Sequence, residues 1–89
     1  MPKQELDLTI LTPQNNIFRG PVEALKVPAY KGYLGVLVNH APIICLLKTG
    51  NITARTKDQT LSFSTNGGLM EVLNNKVTIL ADDAQAVIA

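Results

Sequence analysis

The chain has 89 residues, a formal net charge of +1 and one cysteine. A chain of this length forms one domain, residues 1–89, with a modest core. Its scattered basic residues exclude a nucleic-acid-binding protein, which needs clustered Lys and Arg, and one cysteine excludes an intrachain disulfide framework. Neither a signal peptide nor an apolar stretch of about 20 residues is present. We therefore expect a soluble intracellular protein with no direct membrane insertion.

The first predicted strands are short, and the first of them alternates apolar with polar residues. Residues 6–10 form the first, residues 17–19 the second and residues 22–27 the third. Gly20-Pro21 is expected to close the second strand. Pro28 is expected to stop the third, because proline cannot donate to a sheet ladder.

The rest of the chain also divides into short predicted strands separated by turn residues. The further predicted strands are residues 34–38, 43–47, 52–56, 61–64, 69–73 and 77–80. We expect a turn at 48–51, a hairpin loop at 57–59, a break in the ladder at Gly67-Gly68 and a turn at Asn74-Asn75. Residues 82–89 could begin a short helix with Asp82 or Asp83 as its N-cap.

Short strands with turn residues between them, at spacings of roughly 8–12 residues, are typical of antiparallel sandwiches and barrels. The fold class is therefore all-β, and the prediction is a small two-sheet antiparallel β-sandwich of about eight to ten short strands. Only four aromatic residues occur in the chain, so its core must be aliphatic.

Residues 43–47 are five apolar residues in a row. One apolar face would suffice for a strand of a small sandwich. An apolar run on both faces indicates that one face packs in the core and the other contacts another protein. Either Ile44 or Leu46 is expected to point outward.

Two of the aromatic residues, Tyr30 and Tyr33, share one loop. The loop is either a contact site or a place where a tyrosine ring packs on a neighbouring strand with its hydroxyl in water.

Residues suited to catalysis or metal binding are scarce. His40 is the sole histidine, and Cys45 lies five positions further on, across Pro42, so we do not expect the pair to converge on a metal ion. His40 either ties its loop to backbone groups or is an exposed interface residue, and Cys45 is expected to be a small inert hydrophobe. No phosphate-binding glycine loop occurs. We therefore expect no catalytic residue, no cofactor and no small-molecule substrate.

Several motifs taken together point to a known family. They are LTILTP at 8–13, FRG at 18–20, GYLGVLVNHAP at 32–42, LKTG at 47–50, NGGLMEV at 66–72 and VTILAD at 77–82. In order and spacing, from about residue 6 to residue 84, they resemble the amino-terminal β-sandwich of the epsilon subunit of F-type ATP synthases.

The resemblance implies a non-catalytic subunit that couples the rotating gamma subunit to the ring of c subunits. It places a gamma-facing set on Thr12, His40, Ala41, Pro42, Ile44, Cys45 and Leu46, and a ring-facing set on Lys31, Gly32 and Tyr33. It also implies a peripheral location on the cytoplasmic face of the bacterial inner membrane, or on the stromal face of the thylakoid in a plastid.

Three departures from the family pattern stand out. Tyr33 takes the place of a usual glutamate in the ring-facing loop, and Asn39 takes the place of a usual glycine. Most epsilon subunits also continue into two carboxy-terminal helices, which bind ATP or block rotation in some members. If 89 residues is the natural length, the resemblance implies a short form without that arm.

Two other functions stay open at this stage. The first is a freestanding β-sandwich that binds a peptide or a sugar, with the Tyr30/Tyr33 loop as its aromatic platform. The second is a small hydrolase or isomerase, which His40 would have to serve without a visible partner.

Overall fold

The computed structural model describes residues 5–87 of the chain. These residues form eight strands and no helix. The strands are β1 (Leu6–Leu11), β2 (Asn16–Val22), β3 (Ala24–Ala29), β4 (Gly32–Leu37), β5 (Ile43–Arg55), β6 (Thr60–Leu73), β7 (Lys76–Ala81) and β8 (Ala84–Ala86).

Two long strands carry the architecture. β5 and β6 form an antiparallel hairpin whose register runs without a shift from Ile43 opposite Val72 to Arg55 opposite Thr60. The first half of β5 and the second half of β6 continue sideways into β7, β1 and β2. The other halves continue into β3, β4 and β8. One hydrogen-bonded sheet thus folds over on itself into two layers, which confirms the predicted β-sandwich.

The fold-over occurs where the sequence indicated interruptions. The predicted turn at 48–51 lies inside β5, and the predicted break at Gly67-Gly68 lies inside β6. The predicted turn does not form, and the predicted break is limited to one position. The ladder lacks only the pair between Lys48 and Gly67 and keeps the same register on both sides of it, so the hairpin bends here and continues. Gly67 and Gly68 have φ angles of 121° and 148°, which L side chains rarely adopt. The glycines therefore allow β6 to change layers while it stays paired with β5.

Two predicted strand ends, at Gly20-Pro21 and at Pro28, are also wrong. β2 runs through Gly20 and Pro21 to Val22, because β2 is at the edge of the sheet and a missing N–H costs nothing on the open side. Pro28 lies inside β3, where the pairing with β5 shifts register between Lys26 and Ala29. Because the pairing between β3 and β5 is irregular here, the fold does not need an N–H donor at Pro28.

The end of the described chain is a strand. Residues 84–86 pair with Phe63, Ser64 and Thr65 of β6, and the Val87 N–H donates to the Ser62 carbonyl oxygen at 2.8 Å. The short helix considered for residues 82–89 does not form in residues 82–87, because these backbone groups extend the second layer. Residues 88 and 89 lie outside the described residues.

The sandwich has one parallel neighbour pair. β1 and β7 run parallel, with Leu8 opposite Val77, whereas every other strand pairing is antiparallel. The purely antiparallel arrangement expected from the sequence therefore fails at this pair. β7 follows the long β5–β6 hairpin in the chain and returns beside β1 in the same direction, so these two strands pair in parallel.

The core between the layers is aliphatic, as predicted. Leu6, Ile10, Ile52, Met70 and Ile79 are among its fully buried side chains. Full burial of such a side chain contributes about 1.5–3 kcal/mol, and these contacts hold the layers together.

One side of the sandwich is closed by aromatic packing. The Phe18 ring of β2 and the Phe63 ring of β6 have centroids 5.6 Å apart and planes tilted by 56°. Because β2 and the first half of β6 belong to different layers, this tilted pair joins the layers along that side.

The bend yields a stability prediction. A Cβ on Gly68 would collide with the Leu80 carbonyl oxygen and would lie 2.8 Å from the Ala81 Cα, at a φ of 148°. We expect Gly68→Ala to lower the free energy of unfolding by at least about 2 kcal/mol, measured by urea titration.

Gly35→Ala is the control, because a Cβ there meets no heavy atom within 4 Å. The control should leave stability unchanged or raise it by about 0.5 kcal/mol. Equal effects at the two sites would contradict the role of the bend.

Candidate interaction surfaces

The apolar run of β5 presents one face to solvent. The Ile44 and Leu46 side chains are 66% and 61% exposed, while Leu47 is buried and Ile43 and Cys45 are half-buried. The sequence left open which residue points outward, and the structure shows that both do. Alternation along the strand places them together on the outside of the first layer.

Leu46 belongs to a larger apolar feature that the sequence did not reveal. Pairing across the layer aligns Leu46 with Leu69, Leu69 with Leu80 and Leu80 with Leu11. Directly paired residues point to the same face, so these four leucines form a row across β5, β6, β7 and β1. We call Leu46, Leu69, Leu80 and Leu11 the outer leucine row. With neighbouring strands about 4.8 Å apart, the row spans about 14 Å.

The segment carrying His40, Ala41 and Pro42 leads directly into β5. The His40 N–H donates to the Leu37 carbonyl oxygen at 3.1 Å, and the His40 Nδ1 lies 2.7 Å from the Ala41 carbonyl oxygen. These contacts match the interpretation in which the imidazole ties its own loop to the backbone. His40 remains half-buried, while Ala41 and Pro42 are exposed.

A pair of asparagines anchors the same loop. The Asn39 N–H donates to the Asn75 Oδ1 at 2.6 Å, and the Asn75 side-chain amide donates to the Asn39 Oδ1 at 3.2 Å. Asn39 has a φ of 68°, so asparagine does supply the turn geometry expected of it. The reciprocal bonds join the loop before β5 to the turn before β7.

The remaining residues of the predicted gamma-facing set are Thr12 and Cys45. Thr12 follows Leu11 at the far end of the outer leucine row, where its Oγ1 accepts from the Asn15 N–H at 3.1 Å. Cys45 points to the opposite side of β5 from Ile44, toward the space between the layers. Burial there raises the pKa of the Cys45 thiol, which keeps it protonated and weakly nucleophilic at neutral pH.

The predicted ring-facing residues form the β3–β4 turn. Lys31 is exposed at its tip beside Tyr30, which is 67% exposed, and Gly32 begins β4. The Tyr33 ring is exposed, and it also has partners within the chain. The Lys26 Nζ lies 5.4 Å from the ring centroid, and the Tyr33 hydroxyl oxygen accepts from the Asn51 N–H at 3.4 Å.

A shallow groove of about 500 Å³ links the tip to the outer leucine row. Its lining includes Tyr30, Leu46, Leu69, Leu80 and Asp82. The two predicted contact regions therefore meet at one corner of the sandwich.

Metal-binding chemistry has no visible basis in this part of the chain. Among residues 5–87, no three His, Cys, Asp or Glu side chains come together as a possible metal site. The same residues contain no helix long and apolar enough to span a membrane.

Comparisons with known proteins place the chain in a family. The family described as "ATP synthase, Delta/Epsilon chain, beta-sandwich domain" matches residues 5–87. The chloroplastic ATP synthase epsilon chain of Tetradesmus obliquus is 43% identical over 81 residues, which are 91% of this chain and 60% of that protein. The ATP synthase epsilon chain of Pelotomaculum thermopropionicum is 44% identical over 78 residues, covering 88% of this chain and 58% of that protein. The chain thus spans about 60% of the length of the relatives it matches.

A solved structure agrees in fold. A chain of the Euglena gracilis mitochondrial ATP synthase, in a structure of OSCP, F1 and the c-ring, superposes with a TM-score of 0.90 at 21% identity. That match covers 97% of this chain and 56% of the other. With a family profile covering its strands from β1 to β8 and relatives above 40% identity, this chain belongs to the delta/epsilon β-sandwich family of ATP synthases.

Proposed function

We propose that this chain is a non-catalytic coupling subunit of a rotary ATP synthase, which joins the gamma subunit to the ring of c subunits. The observation that carries the proposal is the exposed apolar face of β5 in a domain of the epsilon family. Large apolar side chains clustered on one face mark protein contacts, since isolated exposed leucines need no explanation whereas a row does.

The gamma subunit docks on the outer face of the first layer in this proposal. Ile44 and the outer leucine row supply the apolar centre, and Glu71 lies beside Ile44 in the paired strand. The loop of His40, Ala41 and Pro42 borders this face at the start of β5, and Thr12 borders it at the end of β1. An apolar centre with a polar border is the usual anatomy of a protein interface.

The c ring meets the tip formed by Lys31, Gly32 and Tyr33. Lys31 offers a charge and Tyr33 a half-exposed ring, whereas the family usually has a glutamate at the Tyr33 position. In this chain, ring contact would therefore depend on aromatic packing and lysine donors. Lys26 against the Tyr33 ring holds that ring in place before the partner arrives.

The catalytic work belongs to other subunits of the complex in this proposal. The chain needs neither an active site nor a cofactor, and it works as a peripheral subunit on the cytoplasmic face of the bacterial inner membrane. For a plastid enzyme, the corresponding position is the stromal face of the thylakoid.

The docking face is tested by a matched pair of aspartate variants. Leu46 and Leu37 are both leucines on strands and both are 61% exposed, but Leu37 lies in β4 on the other layer. We expect Leu46→Asp to weaken gamma binding by at least about 30-fold, because a charge in a desolvated contact costs several kcal/mol unless it is paired.

Leu37→Asp should leave gamma binding within about twofold, since Leu37 lies on the other layer, outside the apolar centre formed by Ile44 and the outer leucine row. Calorimetric titration of gamma into each variant measures the affinities, and thermal unfolding checks that both variants fold. Equal affinity of the two variants for gamma would place the interface elsewhere.

The ring contact is tested by crosslinking in the assembled enzyme. Cysteines introduced at Lys31 and at Tyr33, in a Cys45→Ser background, should form disulfides with cysteines in the polar loops of the c subunit. An introduced cysteine at Lys57, in the exposed β5–β6 loop at the other end of the hairpin, serves as the control. Crosslinks from the tip to gamma alone would assign the tip to the other interface.

A further inference from the structure

The first half of β5 has an open side. β6 pairs with it along one side, but β3 pairs with β5 only at residues 53–55 and at Leu47. Within residues 5–87, no strand pairs with residues 43–46 on the side away from β6. An apolar strand with an open side is a template for pairing with another chain.

The register shows which backbone groups face the open side. The Asp7 N–H donates to the Asn75 carbonyl oxygen at 2.8 Å, so in the parallel pair Val77 and Ile79 turn their backbone groups toward β1. The backbone groups of Thr78 and Leu80 therefore face β6 and bond to those of Glu71 and Leu69. Met70, between these two residues of β6, turns its backbone groups to the other side and bonds to Cys45 of β5. Ile44 therefore points its N–H and C=O away from β6.

An apolar groove of about 550 Å³ runs beside this edge. Ile43, Cys45 and Leu46 line one wall, and Gly32, Tyr33 and Leu34 of β4 line the other. The remaining lining residues are Ala29, Tyr30 and Lys31. Only Lys31 among the lining residues is charged, and it belongs to the tip. The groove thus favours a segment with apolar side chains and, at most, an acidic residue at the end near Lys31.

The last described strand, β8, lies away from this groove. β8 pairs with the first half of β6 and approaches β2, on the side closed by Phe18 and Phe63. The groove opens on the other side, between β4 and the first half of β5. A partner subunit that already covers Ile44 and Leu46, by contrast, has its surface next to the edge.

We propose that an extended segment of the gamma subunit adds as a strand to the open edge of β5 at Ile44 and places apolar side chains in the groove. This inference rests on the proposed function and specifies how gamma is held. Backbone hydrogen bonds to Ile44 supply the attachment, while the groove selects the side chains. An extended strand fits because it matches both the spacing of the free backbone groups and the alternating side-chain direction.

Hydrogen–deuterium exchange resolved to single amides tests the strand. In the free chain the Ile44 amide should exchange rapidly, while the Cys45 amide, bonded to Met70, should be protected. Binding of gamma should slow exchange at Ile44 by at least about tenfold and leave Cys45 slow in both states.

A proline substitution tests the backbone bond directly. Ile44→Pro removes an N–H that the fold does not use, as prolines on open edges do, whereas Ile44→Val keeps it. We expect Ile44→Pro to bind gamma about tenfold more weakly than Ile44→Val, the loss of roughly one hydrogen bond. If Ile44→Pro fails to fold, the exchange experiment on the unmodified chain decides alone.

The outcomes separate the two proposals. Gamma binding without added protection at Ile44 overturns strand addition and leaves the proposed function standing. No gamma binding at all overturns both. Protection of Ile44 that rises with the concentration of the free chain would assign the edge to a second copy, and protection confined to β4 would assign the strand to the opposite wall. Each of these two results overturns the inference.

Discussion

The paired bend of β5 and β6 is the constraint on which the rest of the molecule depends. Because the two strands stay in one register through the bend, each layer of the sandwich inherits half of the same hairpin. Gly67 and Gly68 make the bend possible, and the Thr65 hydroxyl stabilises it by donating to the Gly67 carbonyl oxygen at 3.0 Å and accepting from the Gly67 N–H at 3.2 Å. Thr65 is also the one buried polar residue among residues 5–87. The polar groups at the bend are thus satisfied locally.

The bend also creates the candidate surfaces. It swings the first half of β5 away from β3, which frees the edge at Ile44 and opens the groove beneath Cys45. It places the β3–β4 tip next to Leu46, so the surface proposed for the ring adjoins the surface proposed for gamma. A rigid connection between two partners through one small domain suits a coupling role, since movement at one surface is transmitted through a packed core.

Sequence reasoning found most strands but mistook internal features for strand ends. The alternation at residues 6–10 and 77–80 predicted β1 and β7 well, because each strand has one buried face. Gly67-Gly68, Gly20-Pro21 and Pro28 indicated breaks where the structure continues. Local signals show only that a residue disfavours regular pairing, and they cannot distinguish a chain that turns back from one that bends or lies at an edge.

The sequence by itself determined the all-β class, the aliphatic core and an apolar surface on β5. These properties depend on composition and on the period of two along each strand, which are local. Only the tertiary structure decided that Leu11, Leu69 and Leu80 join Leu46 in one row, because that row depends on register between strands distant in the chain. The tertiary structure also decided the open edge at Ile44, because whether a strand has an unpaired side depends on where all the neighbouring strands lie.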